Sequence, residues 1–292
     1  MRLAAIDIGS NAARLLITDV IKDSYDKVSF NKVNLIRIPL RLGFDVFENG
    51  EISPMRFEMI MNTMKAFKYI LDVYHVKHLK ACATSAMRDA RNSLGILTEV
   101  RAATGIEIEI ITGSAEAAFI YENHVAENMD KDHSYLYIDV GGGSTELTFF
   151  SNTKLIFEES FNIGTIRILK NMVKDSMWET MKQTLKEKIK GHKEVTAIGS
   201  GGNINKIFAL SKRKDDKSLT LELLKDYHKE LSNVSLADRV NIYKLKEDRA
   251  DVIVPALQIY INCMRWAGAT DIYVPRIGLA DGLIQHLYQE LK

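Results

Sequence analysis

Tyr135-Leu-Tyr-Ile-Asp-Val-Gly-Gly-Gly-Ser-Thr-Glu-Leu-Thr-Phe-Phe150 is an apolar run that reaches Asp139, turns through three glycines and a serine, and becomes apolar again after Thr145. Such a run, turn and run is the signature of two buried strands joined by a tight connection. The same order occurs near the start, in Leu3-Ala-Ala-Ile-Asp-Ile-Gly-Ser-Asn-Ala-Ala-Arg-Leu-Leu-Ile-Thr-Asp-Val20. There Asp7 closes the first strand, Gly9–Asn11 turns, and Leu15–Val20 returns. This internal repeat predicts two related lobes, each opening with a hairpin whose turn carries an aspartate. A chain of 292 residues has the length for two domains, at roughly 100–150 residues each.

Between the hairpins the period changes. Ser53-Pro54 reads as an N-cap and first helical position. Phe57, Ile60, Met64, Phe67, Leu71 and Tyr74 then recur at helical spacing. Leu79–Ala83 reads as a strand, Asp89–Ala103 as a helix, Glu107–Ile111 as a strand, and a helix follows Gly113. Beyond the second hairpin, strands are expected near Val195–Ile198 and at Ile272–Val274. Helices are expected from Ile204 to Met264 and from Leu279 to the end. Alternating strands and helices predict an α/β fold with a partly parallel sheet.

The composition bounds the function. Thirty-nine basic and thirty-eight acidic residues leave a formal charge of +1. That balance argues against a nucleic-acid partner, which calls for a basic excess. Cys82 and Cys263 form neither a disulfide framework nor a CxxC metal pattern. Asp7 interrupts the first apolar segment, which makes it a poor signal sequence. No apolar run approaches the roughly 18 residues of a membrane span. The expectation is a soluble, cytoplasmic protein with no membrane partner. A homodimer is compatible with the sequence, which carries no direct signal of oligomeric state. The lysine-rich Lys186–Lys193 and Lys212-Arg-Lys214 read as solvated surface rather than as a polyanion track.

Three turns join glycine to small hydroxyl or amide residues: Gly9, Ser10 and Asn11; Gly141, Gly142, Gly143, Ser144 and Thr145; and Gly199, Ser200, Gly201, Gly202 and Asn203. Glycine lets backbone N–H groups approach a ligand closely, and successive N–H groups form anion-binding nests. Three such turns suit a chain of phosphates. Neither GxxxxGK[ST] nor GxGxxG occurs, which removes the P-loop and dinucleotide motifs. Asp7 and Asp139 end their strands beside these turns and are candidate metal ligands. Asp139 with Glu146 suits Mg²⁺, which takes one or two carboxylates together with phosphate oxygens. Glu116, in the first turn of a helix, reads from its position alone as a complement to the helix dipole.

Together these residues resemble the exopolyphosphatase and guanosine pentaphosphate phosphatase (Ppx/GppA) family, of the actin, sugar-kinase and heat-shock-chaperone superfamily. The similar segments are Ala5-Ile-Asp-Ile-Gly-Ser-Asn11, Ala83-Thr-Ser-Ala-Met-Arg88, Ile111-Thr-Gly-Ser-Ala-Glu-Ala117, Ile138-Asp-Val-Gly-Gly-Gly-Ser-Thr-Glu146, Ile198-Gly-Ser-Gly-Gly202 and Arg249-Ala-Asp-Val-Ile-Val-Pro255. The resemblance implies two actin-like, ribonuclease H-like lobes with a cleft between them: 1–120 joined by the C-terminal helix 279–292, and 121–278. It implies Glu116 as the catalytic glutamate acting on water, and Arg88 as a phosphate-contacting arginine. Asp139 and Glu146 become the acids tied to Mg²⁺ and catalysis, and the three turns become phosphate loops. The chain departs from the pattern at Ala115, Asn203 and Ala280. It also resembles short members that lack the helical C-terminal domain of longer ones.

The implied function is release of terminal phosphate from inorganic polyphosphate or guanosine pentaphosphate. Phosphoryl transfer of this kind needs positioning and charge neutralisation more than covalent chemistry. The alternatives are a non-catalytic sensor of guanosine tetra- or pentaphosphate and a small-molecule kinase of the same superfamily. The kinases normally use an aspartate base in the second half of the chain, against which Glu116 counts.

Overall fold

The computed structural model describes residues 1–121, 133–152, 154–192, 194–214 and 218–292. The expected start of the second lobe, residue 121, therefore leads directly into residues outside those described, and Lys193 lies outside them too. The chain forms two compact units, Met1–Asn123 with Leu279–Lys292, and His124–Gly278.

The first unit runs β1 (Arg2–Ile8), β2 (Ala13–Lys22), β3 (Val28–Ile38), α1 (Gly43–Asn49), α2 (Pro54–Val73), β4 (His78–Ala83), α3 (Ser85–Asp89), α4 (Ser93–Thr104), β5 (Glu109–Ile110) and α5 (Gly113–Tyr121). Its five strands order β3-β2-β1-β4-β5. The β1–β2–β3 meander is antiparallel, and β4 and β5 join in parallel.

The second unit runs β6 (Ser134–Val140), β7 (Thr145–Ser151), β8 (Lys154–Phe161), α6 (Thr165–Leu169), α7 (Asp175–Ile189), β9 (Val195–Ser200), α8 (Gly202–Ser211), β10 (Leu219–Thr220), α9 (Leu221–Ser232), α10 (Leu236–Asn241), α11 (Glu247–Ala250), α12 (Ile253–Ala267) and β11 (Asp271–Tyr273). Its sheet orders β10-β11-β9-β6-β7-β8. With the edge strand β10 set aside, this is the order of the first unit: an antiparallel meander followed by parallel strands. The repeat read from the sequence is thus a repeat of topology.

Local chemistry accounts for several boundaries. Ser53 is extended, and its hydroxyl accepts from the Arg56 N–H at 3.4 Å with Pro54 next in the chain, which starts α2. The helix expected over Asp89–Ala103 is α4, which starts only at Ser93, with the short α3 ending at Asp89. Ala90 adopts an extended conformation. The Asn92 side chain bonds the backbone of Ile52, accepting from its N–H at 3.0 Å and donating to its carbonyl at 2.8 Å. That pair of long-range bonds draws the chain out of helical geometry. The β3 and β8 edge strands have no counterpart in the sequence reading. In β3 the cause is weak alternation, since most of its residues are exposed or half-buried.

The closing helix α13 (Leu279–Glu290) belongs to the first unit. Its Leu279, Ala280, Leu283, Ile284 and Leu287 share one core with Leu3, Ala5, Leu16, Cys82 and Ile120. Ala280, a departure from the family pattern, is a core residue here. The second unit has its own core, centred on Leu136, Ile138, Phe149, Ala197 and the buried side of α12. The lysine-rich stretches are surface: Lys212, Arg213 and Lys214 are exposed, and Arg213 bonds the Ser218 carbonyl at 2.9 Å. Among the described residues no helix is long and apolar enough to cross a membrane.

Candidate active site

In the second unit, strand register assembles the acids. The antiparallel pairing of β6 and β7 sets Asp139 opposite Glu146, and the parallel pairing of β6 and β9 sets Asp139 beside Ser200. Side chains directly opposite on paired strands share a face. Carboxylate oxygens of Asp139 and Glu146 lie within 4.8 Å of each other. Asp139 is half-buried and Glu146 buried. The Ser200 hydroxyl donates to Asp139 Oδ1 at 2.6 Å, and the Ser160 hydroxyl, from β8, donates to Glu146 Oε1 at 2.8 Å. Two carboxylates so close offer hard oxygen donors of the kind that bind Mg²⁺ or Mn²⁺. The donor set fits a divalent cation.

The glycine turn beside them is held from behind. Gly141 N–H donates to the Ser144 carbonyl at 2.9 Å, which closes the turn. The carbonyls of Gly141 and Gly142 accept from the N–H groups of Thr165 and Ile166 at 3.1 and 2.9 Å. The Gly143 carbonyl accepts from Arg167 Nε at 2.8 Å. Among the described residues no peptide bond is cis. In a trans peptide the N–H points opposite to the preceding carbonyl. With these three carbonyls turned to α6, the N–H groups of Gly142, Gly143 and Ser144 turn away from it together, which is the form of an anion nest. Gly164 allows the approach: a Cβ there would lie 2.4 Å from the Gly142 carbonyl oxygen. The Thr145 side chain serves this scaffold, since its fully buried hydroxyl donates to the Ile163 carbonyl at 2.6 Å.

The third turn leaves β9 at Ser200. Gly201 has φ 102°, a value that only glycine adopts without strain. A Cβ at Gly201 would stand 3.1 Å from Asp139 Oδ1. The buried Tyr260 hydroxyl, from α12, bonds the Ser200 carbonyl. Burial, and secondarily Asp139, push the Tyr260 phenol well above its ordinary value, so it stays a donor. Arg249 Nη1 bonds the Gly202 carbonyl at 2.8 Å and pins the start of α8.

In the first unit Asp7 lies opposite Arg14 in the β1–β2 register and beside Cys82 on β4. Arg14 Nη1 meets Asp7 Oδ1 at 2.9 Å and Oδ2 at 3.3 Å. Burial raises the Asp7 pKa, and the Arg14 guanidinium offsets only part of that rise. The Cys82 thiol is pushed up by burial first and then by the Asp7 and Glu116 carboxylates, so it is a neutral thiol. The hydroxyls of Ser10 and Ser85 share a buried hydrogen bond of 2.7 Å. The carbonyls of Ser10 and Asn11 accept from Gly43 and Arg41 at the entry to α1. Arg88 Nη1 bonds the Ile111 carbonyl at 2.7 Å, which ties α3 to the segment leading into α5. Glu116 is buried in the first turn of α5.

A family model described as the Ppx/GppA phosphatase family matches residues 20–291. The chain belongs to that family. It is 30% identical over 245 residues to a bifunctional 3-dehydroquinate synthase/phosphatase of Fusobacterium nucleatum, covering 82% of this chain and 35% of that protein. It is 24% identical over 302 residues to a guanosine-5'-triphosphate,3'-diphosphate pyrophosphatase of Vibrio parahaemolyticus, covering 99% of this chain and 60% of that protein. The chain thus spans between about a third and three fifths of these curated relatives. The crystal structure of an exopolyphosphatase from Cytophaga hutchinsonii superposes with a TM-score of 0.85 at 24% identity, covering 99% of this chain and 98% of that one. That likeness identifies the fold as α/β with two actin-like lobes.

The sequence reading of this Ppx/GppA member named the acids and the glycine turns. Ser160, Gly164, Arg167 and Tyr260 were not among its site residues. Arg249, also outside its site residues, stood inside a segment that resembles the family.

Proposed function

We propose that this chain hydrolyses the terminal phosphoanhydride of inorganic polyphosphate or guanosine pentaphosphate. The carrying observation is the carboxylate pair Asp139 and Glu146 beside a glycine turn whose N–H groups are turned to one side. Asp139 and Glu146 would hold Mg²⁺, which when bound neutralises phosphate charge and polarises the phosphoryl oxygens. The N–H groups of Gly142, Gly143 and Ser144 bind phosphate oxygens. The turn at Gly9–Asn11 and the glycines Gly199 and Gly201 of the third turn complete the phosphate contacts. Glu116 orients the attacking water and accepts its proton, as a general base does. Arg88, anchored by one nitrogen to the Ile111 carbonyl, carries charge suited to a phosphoryl group. Asp7, also expected at the metal, is ion-paired with Arg14, and we assign it the holding of that guanidinium. Two free, buried cysteines fit a reducing cytoplasm.

The test is phosphate release from each substrate in Mg²⁺. Glu116→Gln keeps the side-chain shape but accepts no proton, so turnover should fall on the order of 10²–10³-fold with substrate binding retained. Asp139→Ala should lose turnover as well. Full turnover in Glu116→Gln would assign the base elsewhere, and full activity in excess chelator would remove the cation from the mechanism.

A further inference from the structure

Four neighbouring strands, β9, β6, β7 and β8, place Ser200, Asp139, Glu146 and Ser160 in one row. Each member is the register partner of the next. Two carboxylates stand in the middle and a hydroxyl donor stands at each end. Ser200 donates to Asp139 at 2.6 Å and Ser160 to Glu146 at 2.8 Å. We propose that Ser200 and Ser160 are positioning residues that orient the carboxylate pair for a divalent cation, and that Ser200 is not a phosphate ligand. This rests on the reading of Asp139 and Glu146 as the cation site.

Two features support it. Each hydroxyl fixes one oxygen of its carboxylate and hence the plane of the group, the usual office of an outer partner to a metal ligand. Finally, Ser200 is itself fixed. Its carbonyl is bonded by the buried Tyr260 hydroxyl, and the following Gly201 leaves Asp139 Oδ1 room that a Cβ would crowd at 3.1 Å.

The test is Mn²⁺ titration of the full chain without any phosphate compound, followed by electron paramagnetic resonance of free Mn²⁺. Ser200→Ala and Ser160→Ala should each weaken Mn²⁺ binding about 10–100-fold. Ser200→Thr and Ser160→Thr, which restore a hydroxyl, should recover most of it. Ser160 is half-buried on the edge strand β8, so its variant decides the matter if Ser200→Ala fails to fold by circular dichroism. If Asp139→Ala abolishes Mn²⁺ binding while both alanine variants bind as wild type, the positioning role is overturned and the cation site stands. If Asp139→Ala also binds as wild type, the cation assignment itself fails and takes the positioning role with it.

Discussion

The two sheets carry equivalent rows with different chemistry. In the second unit the row is Ser200, Asp139, Glu146 and Ser160. In the first it is Cys82, Asp7, Arg14 and Arg37. Strand order and register match, and the aspartates correspond. One row holds two acids with a hydroxyl donor at each end. The other holds one acid between a neutral thiol and two guanidinium groups, both of which lower the Asp7 pKa against burial. A duplicated backbone thus fixes where an aspartate stands, while its cross-strand neighbour decides whether that aspartate faces a second carboxylate or an arginine.

Exchanging the neighbours tests this directly. Glu146→Arg gives the second row the pairing of the first. We expect Mn²⁺ binding to disappear and phosphate release to fall at least about 10²–10³-fold, with circular dichroism unchanged because Asp139 gains a partner. Retained turnover would break the comparison.

Removing Arg14 is the next largest effect. Breaking a buried pair costs about 3–5 kcal/mol. The Arg14 side chain is 31% exposed, so about 2–3 kcal/mol is expected at pH 7 for Arg14→Ala, read by urea unfolding. The deficit should depend on pH. The folded-state pKa of Asp7 is raised above its ordinary 3.8, and losing Arg14 raises it further. Below the raised wild-type value the folded carboxyl is neutral in both proteins and the charge part of the deficit is absent. It grows as pH rises from that value towards the still higher value of the variant. The deficit should therefore be smaller at pH 5 than at pH 7. Equal deficits would show that the carboxylate is not the group left unpaired.

The smallest contrast lies in the turns. A Cβ at Gly164 would meet the Gly142 carbonyl oxygen at 2.4 Å, whereas one at Gly9 meets only the Ala12 carbonyl at 3.4 Å. Gly164→Ala should cost about 1–3 kcal/mol and lower the melting temperature by several degrees, about 2–4 °C per kcal/mol. Gly9→Ala should stay within about 1 kcal/mol of wild type. Comparable melting temperatures for the two variants would mean that α6 does not hold the glycine turn of the second unit.

The sequence by itself determined what depends on neighbours a few residues apart. Alternation and turn chemistry marked both hairpins at Asp7 and Asp139, Ser53-Pro54 marked the start of α2, and the glycine runs marked the turns. The acids of the site were legible because they sit inside those runs. Tertiary structure alone decided who stands next to them. Ser160 reaches Glu146 from 14 residues away and Ser200 reaches Asp139 from 61. Asn92 bonds Ile52 just ahead of α4, and Gly164 matters only because α6 packs on the turn. That the Thr145 hydroxyl meets the Ile163 carbonyl and the Ser200 hydroxyl meets Asp139 is likewise a matter of packing. The physical reason is one of range. Propensity and turn geometry act along the chain, whereas register sets which side chains meet across it, and a shift of one residue moves every side chain to the other face.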